Sequence, residues 1–301
     1  GETIMNCLVT GGAGFVGTNL IKRLLNEGHN VVSLDNLSTG KKENYVDGCV
    51  YHEIDLCDVR DYSKYINDCG TIFHVAALAR IQTSLTEPHH HIKNNFESTL
   101  NVLDWSREQG GIPIIYAGSS SKHHGLFGSP YAWVKHSGEE LCKLYSEVYD
   151  VPTSIMRFYN VYGPHHLKDG PYCTVIGVFE DQYEAGKSLT ITGNGEQRRD
   201  FTHVHDIVDG LYKCMEAMHG ATDMRYAGEE FELGRGVNHS INELANLFGD
   251  YPTEYIPARK GEYDVTLCTD TKAHEVLGWN PTLNLEDYIR DFVDTQRFLN
   301  E

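Results

Sequence analysis

No stretch of these 301 residues approaches the roughly 18 to 20 consecutive apolar residues that a membrane-spanning helix needs. No basic-then-apolar leader precedes the first apolar run, so an untargeted, soluble, cytoplasmic protein is expected. Basic residues are scarce: 25 Lys and Arg stand against 43 Asp and Glu, a formal net charge of −18. That balance argues against nucleic acid or an anionic membrane as partner. It does not exclude an anionic small molecule, because local arginines can reverse the sign inside a cleft. The eight cysteines form no C-x-x-C pair and no framework spacing, the pattern of reduced cytosolic thiols. Histidine is frequent, at 89–91, 123–124, 165–166, 203 and 205, yet no pair has H-E-x-x-H or finger spacing. Hydrogen-bonded or solvated histidines and no metal are expected. Repeats, low-complexity tracts and flexible linkers are missing too.

What is present is an alternation. Apolar, β-branched runs at 5–10, 31–35, 49–55, 71–76, 112–117 and 153–158 predict strands. Helical spacing of apolar residues predicts helices at 15–27, within 88–110, and at 131–149. Such β-α alternation implies an α/β fold with a parallel sheet covered on both faces. After Asn160 the character changes, and Gly163-Pro164 and Gly170-Pro171 break any regular element. Shorter helical patterns follow at 175–185, 206–218, 241–248 and 285–298. The division expected is a nucleotide-binding domain at 1–160, to which segments near 190–220 return, and a smaller substrate domain at 161–301. The cleft lies between them.

Two motifs carry chemistry. Gly11, Gly14 and Gly17 follow a strand and open a helix, where glycine lets the backbone turn tightly against a pyrophosphate at the helix N-terminus. Asp35 ends the second strand, about 20 residues on, where a carboxylate bonds the adenosine ribose and repels a 2′-phosphate, favouring NAD over NADP. Tyr131 and Lys135 are four apart on a predicted helix and share one face. Such a pair alone is common on surface helices, but a lysine ammonium near a phenol favours the phenolate and can make an acid/base at neutral pH. A nucleotide loop with a candidate phenolate base suggests a redox enzyme.

Together these residues resemble the extended short-chain dehydrogenases/reductases, in particular the NAD-dependent nucleotide-sugar epimerase/dehydratase group, over essentially the whole chain. That resemblance implies a Rossmann-like doubly wound parallel sheet with a smaller α/β C-terminal substrate domain. Thr10-Gly-Gly-Ala-Gly-Phe-Val-Gly17 looks like the family's glycine loop, so Gly11, Gly14, Phe15, Val16 and Gly17 are expected at NAD. Asp35, Asn36, Ser38, Thr39 and Gly40 follow at the second strand. Asp55-Leu56 matches the adenine-contacting pair, and His74-Val-Ala-Ala77 the cofactor-lining segment with Ala76 and Ala77. Asn95 resembles a structural helix asparagine. Counting back from His124-Gly125, where the family usually has Tyr-Gly, places its catalytic hydroxyl at Ser120, beside Tyr131 and Lys135.

The second half is similar as well. Asn160, in Arg157-Phe-Tyr-Asn-Val-Tyr-Gly-Pro164, resembles the residue that contacts the sugar diphosphate. Gly193-Asn-Gly-Glu-Gln-Arg-Arg-Asp-Phe201 implies Arg199 on the phosphates, with Arg198 solvent-facing or structural. Arg259-Lys-Gly-Glu262 resembles a second arginine site with a ribose-binding acid. Two guanidinium forks suit a pyrophosphate. Arg80, Ser121, Lys122 and Val175 complete the candidate substrate residues, and Thr266 or Leu267 is expected to face the sugar.

The chemistry implied is oxidation of a sugar hydroxyl at C4, with Tyr131 taking the proton directly or through Ser120, and return of hydride to the other face. A UDP-sugar 4-epimerase is the leading expectation. A 4,6-dehydratase needs an acid pair that Ser121 and Lys122 do not supply, although Lys122 could serve as a base. A decarboxylase or net dehydrogenase, and a non-catalytic NAD-sensing protein, are the other readings. A homodimer joined through the helices near 88–110 and 131–149 is also implied, with Trp105, Trp133 and Leu144 as apolar contacts. Departures from the family pattern are the ten-residue span between Ser120 and Tyr131, His124 for tyrosine, and Thr192 where an aromatic often stacks on uracil.

Overall fold

The structure, a computed structural model, describes residues 3–220 and 227–301. Its strands are β1 (Asn6–Thr10), β2 (Asn30–Asp35), β3 (Cys49–Glu53), β4 (Cys69–His74), β5 (Ile114–Ser119), β6 (Thr153–Phe158), β7 (Asn160–Tyr162), β8 (Leu189–Thr192), β9 (Arg198–Arg199), β10 (Phe201–His203), β11 (Ala227–Leu233), β12 (His239–Ser240) and β13 (Thr253–Ile256). Its helices are α1 (Phe15–Asn26), α2 (Ile81–Thr86), α3 (Pro88–Glu108), α4 (Pro130–Tyr149), α5 (Val175–Glu184), α6 (Val204–His219), α7 (Ile241–Asn246), α8 (Lys272–Leu277) and α9 (Leu285–Asn300). Seven strands form one parallel sheet in the order β11-β6-β5-β4-β1-β2-β3. The order reverses beside β1, and open α/β sheets bind ligands beyond the carboxyl ends of the strands at such a point.

Apolar side chains cover both faces. On one face Leu20, Ile21 and Leu24 of α1 pack with Ile207, Leu211 and Met215 of α6 against Val9, Phe73 and Phe231. On the other, Val102 and Leu103 of α3 and Cys142 and Tyr145 of α4 cover Leu8, Ile72, Ile114 and Ile155. A separate cluster joins Phe179 of α5, Leu189 and Ile191 of β8, Leu244 of α7 and Ile289 of α9. Residues 198–203 and 227–240 run between these bodies, and Asp200, fully buried, ties them. Its carboxylate accepts from the backbone N–H groups of Arg235, Gly236 and Cys268 at 2.9–3.0 Å.

Local differences from the sequence pattern have local causes. The third strand stops at Glu53, because the Ile54 N–H turns to the Asp35 carbonyl and Asp55 accepts from the Cys57 N–H. The fifth strand runs two residues later than its apolar core suggests, which brings Ser119 to its end. Helix α6 starts at Val204 because the His203 ring caps it, accepting from the His205 N–H at 3.0 Å. Trp105 is the main correction: it is 2% exposed, packs edge-on against Tyr62 and donates its indole N–H to Ser63 at 3.3 Å, so it offers nothing to a second subunit. Trp133, Leu144, Val148 and Tyr149 of α4 are exposed. No helix among the described residues is long and apolar enough to cross a membrane.

Candidate active site

The carboxyl ends of β1, β2, β4, β5 and β6 open into one cleft of about 870 Å³. At its nucleotide end the backbone turns from β1 into α1, with Gly11 N–H on the Leu34 carbonyl at 2.8 Å. Gly17 must be glycine, because a Cβ there would lie 2.2 Å from the Gly11 carbonyl oxygen. No side chain caps α1 at Gly14, so its first N–H groups face the cleft, the arrangement that receives a phosphate. Asp35 is buried and accepts from Ala13 N–H at 2.9 Å and Leu37 N–H at 2.8 Å, which fixes its carboxylate at the end of β2. Phe15, Val16, Asn36, Ser38, Thr39, Asp55, Leu56, Ala76 and Ala77 line the same end. An uncapped glycine-rich helix start beside a fixed carboxylate fits NAD.

Two predicted residues support this wall from behind. Gly40 lies outside the cleft lining and packs against the loop, where a Cβ would come 2.9 Å from the Asp35 carboxylate. Asn95, also outside it, clamps Leu78 in both directions at 2.8 and 3.0 Å and so holds the chain leaving β4. His74 is buried between the hydroxyls of Thr10 and Thr99 at 2.8 and 3.0 Å. Burial, and then Lys135, push its pKa down to about 3, so it is a neutral prop.

Helix α4 carries Tyr131 and Lys135 into the cleft. Ser129 caps it by accepting from the Ala132 N–H at 3.1 Å, and Pro130 occupies its first turn, which sets the register of both side chains. Lys135 is buried, donates to the Ala117 carbonyl at 2.5 Å and lies 4.8 Å from the Tyr116 ring centroid. Burial lowers its pKa to about 8, against an upward pull from Glu139. The expectation that Lys135 lowers the tyrosine is corrected here. Burial raises the Tyr131 pKa, and the groups that oppose it are the Ser119 hydroxyl and the Arg80 guanidinium. The Lys135 ammonium is instead directed to the β5 backbone.

Ser120 is buried and lines the cleft, as does its neighbour Ser119, the last residue of β5. Ser119 donates to the Ser121 hydroxyl at 2.8 Å and accepts the Ser121 N–H at 3.1 Å. Lys122 is not in the site. The 3₁₀ turn over Ser120–His124 carries it out of the cleft, and its ammonium lies 3.8 Å from Glu230.

Beneath Lys135 lies an ionic cluster that sequence reading did not find. Arg157 of β6 is 3% exposed and pairs with Glu139 at 2.6 Å, Glu230 at 2.8 Å and Glu232 at 3.0 Å. His123 meets Glu232 at 2.6 Å, and Lys143 pairs with Glu230.

The far end of the cleft contains Asn160, Val175, Thr192, Arg199, Arg259 and Glu262. Asn160 accepts from the Thr266 hydroxyl at 2.9 Å, and Thr266 lines the cleft while Leu267 is exposed. Arg198 turns away and binds both Glu243 oxygens at 2.8 and 3.1 Å. Tyr263 was missed. Its ring stacks on His124 with centroids 4.0 Å apart, and its buried hydroxyl faces Ser121 without a well-formed hydrogen bond. An aromatic residue immediately after Glu262 was the available signal, masked because the motif count ran four positions further, to Thr266. Among the described residues no group of three or more His, Cys, Asp or Glu is arranged to hold a metal ion.

Residues 7–234 match the profile of the NAD dependent epimerase/dehydratase family. The UDP-glucose 4-epimerase of Mycolicibacterium smegmatis is 31% identical, over 96% of this chain and 98% of its own. A UDP-N-acetyl-alpha-D-glucosaminuronate decarboxylase of Bacillus cytotoxicus is 33% identical over 79% of this chain and 78% of its own. The crystal structure of the Thermotoga maritima UDP-glucose 4-epimerase with UDP-glucose superposes with a TM-score of 0.86 at 30% identity, covering 99% of this chain and 100% of that one.

Proposed function

Because this chain belongs to the NAD-dependent epimerase/dehydratase family, we propose that it is a UDP-sugar 4-epimerase. Bound NAD supplies reversible hydride acceptance at a sugar carbon, held by the α1 N-terminus, Asp35 and the Asp55–Ala77 wall. Tyr131 holds and returns the proton of the C4 hydroxyl, with Ser119 and Ser120 ordering that hydroxyl. Lys135, fixed on the Ala117 carbonyl, keeps a cation under the cofactor side of the cleft. Arg199 and Arg259 bind the diphosphate, and Asn160 and Glu262 orient its sugar and ribose.

The observation that carries epimerase over dehydratase is the position of Lys122. With Ser121 neutral and Lys122 drawn to Glu230, neither residue after Ser120 is fit to donate a proton to a departing C6 hydroxyl. Retention of Tyr131 and Lys135 in the cleft favours turnover over a sensing role. The exposed face of α4, with Trp133, Leu144 and Val148, is where this reading seats a second copy of the chain.

Incubated with a UDP-hexose and no added cofactor, the protein should give a reversible mixture of stereoisomers of unchanged mass. A product lighter by one water would make it a dehydratase, and loss of carbon dioxide from a UDP-uronate in a parallel incubation would make it a decarboxylase.

A further inference from the structure

Arg80 is the cation that the reading above leaves without a task. It immediately precedes α2 and lines the same cleft as Tyr131 and Lys135. Arg80 is half-buried, and among the described residues its guanidinium makes no hydrogen bond and no ion pair. Burial in the cleft wall and the neighbouring Arg259 lower its pKa, against the influence of Cys173, Tyr131 and Glu262. A guanidinium set in a cleft wall without a protein partner is placed for an anion that arrives from outside.

Charge matching says which anion. A nucleoside diphosphate brings two negative charges to this end of the cleft, and Arg199 and Arg259 meet them with planar forks. Glu262, exposed at the rim, offsets one cation in part. Lys135, buried, and Arg80, half-buried, then remain as positive groups around the sugar. The same cleft also offers hydroxyls suited to a second anion. Tyr263 carries a buried hydroxyl without a partner, facing Ser121, and Ser119 and Ser121 stand next to it. A guanidinium and hydroxyl donors lining one cleft are the donor types that a carboxylate accepts from. A neutral hexose would leave Arg80 unpaired.

We propose that the sugar end of the cleft takes a nucleotide sugar bearing a carboxylate, and that Arg80 is the residue that selects it. The inference rests on the nucleotide-sugar reading above and names the class of sugar. The carboxylate could be a C6 uronate or sit on an ether-linked lactyl arm, and the test separates these.

The test is equilibrium binding by calorimetry, in the Tyr131→Phe background so that conversion during the titration is slowed, with the ligand recovered and checked by mass and NMR afterwards. UDP-glucuronate is compared with UDP-glucose, and UDP-N-acetylmuramate with UDP-N-acetylglucosamine. One acidic sugar should bind about 10- to 100-fold more tightly than its neutral counterpart, the scale of a charge-assisted hydrogen-bond pair, and the pair that shows the gap identifies the source. Arg80→Gln should bring that ratio toward one, and Arg80→Lys should restore part of it. Retained NAD and an unchanged circular dichroism spectrum establish that the variants fold. Equal or tighter binding of both neutral sugars would overturn the inference. So would an Arg80→Gln variant that weakens acidic and neutral sugars alike, which would assign Arg80 to the diphosphate. Because the readout is binding, selectivity without turnover in the parent would refute the epimerase while leaving this inference standing, and turnover with no selectivity would do the reverse.

Discussion

Replacing Tyr131 by Phe should lower turnover by about 10² to 10⁴, the scale of a positioned acid/base, with little change in the binding of cofactor or sugar. Only an oxygen is removed from a half-buried ring that lines the cleft, so packing is kept. The size of the effect follows from what surrounds the hydroxyl. Burial holds the phenol protonated in the free protein, against the Ser119 hydroxyl and the Arg80 charge. The basic groups nearest in sequence or fold are held elsewhere: Lys135 is tied to the Ala117 carbonyl, His74 is held neutral between two threonines, and Lys122 is outside. Steady-state kinetics beside calorimetric binding of a UDP-sugar check this. Full activity in Tyr131→Phe would move proton transfer to the serines and overturn the mechanism.

The second large effect is on stability. Arg157→Met should destabilise the fold by about 3–5 kcal/mol, because removing one member of a buried ionic cluster leaves the others uncompensated. Glu139 is 1% exposed, and its pKa is already raised by burial, with Arg157 as the main opposing influence. Without Arg157 it must take up a proton or remain as an unpaired charge. In thermal unfolding the midpoint should fall by on the order of 10 °C. The pH dependence gives a second signature. For Glu230, burial pushes the pKa up, but hydrogen bonds from Lys143 and Arg157 outweigh it and bring the value to about 2 from 4.5. A carboxylate depressed by folding contributes stability above its unfolded pKa and loses it as pH falls through the folded one. The wild type should therefore lose stability between about pH 4.5 and 2, and Arg157→Met should lose less in that window. A variant with unchanged melting behaviour would show that the cluster is not coupled to the fold.

Much of the architecture was legible because the signals were local. Strands buried on both faces read as apolar runs, glycine spacing marked the turn into α1, and Asp35 stood at the end of the second strand. The sheet order and the parallel pairing of β11 with β6 depend on long-range contacts that no short window contains. The site divides in the same way. The residues found from sequence, such as Tyr131, Asn160 and Arg199, belong to contiguous motifs. Those misjudged depend on direction: Lys122 follows Ser121 in sequence but is drawn outward by Glu230, and Trp105 was offered to an interface although Tyr62 covers it. Tyr263 and His124 are far apart in the chain and meet only by stacking. The partners of Arg157 come from α4 and β11, so its burial could not be read from β6.

The most direct test of the central claim uses a UDP-sugar carrying deuterium at C4, incubated with the protein as purified in ordinary water. Oxidation and return at one carbon by a cofactor that never leaves the cleft predicts a product inverted at C4, of unchanged mass, with the deuterium still on C4 and none lost to solvent. Inversion with the label washed out, inversion at another carbon, or a product that has lost water would contradict the account.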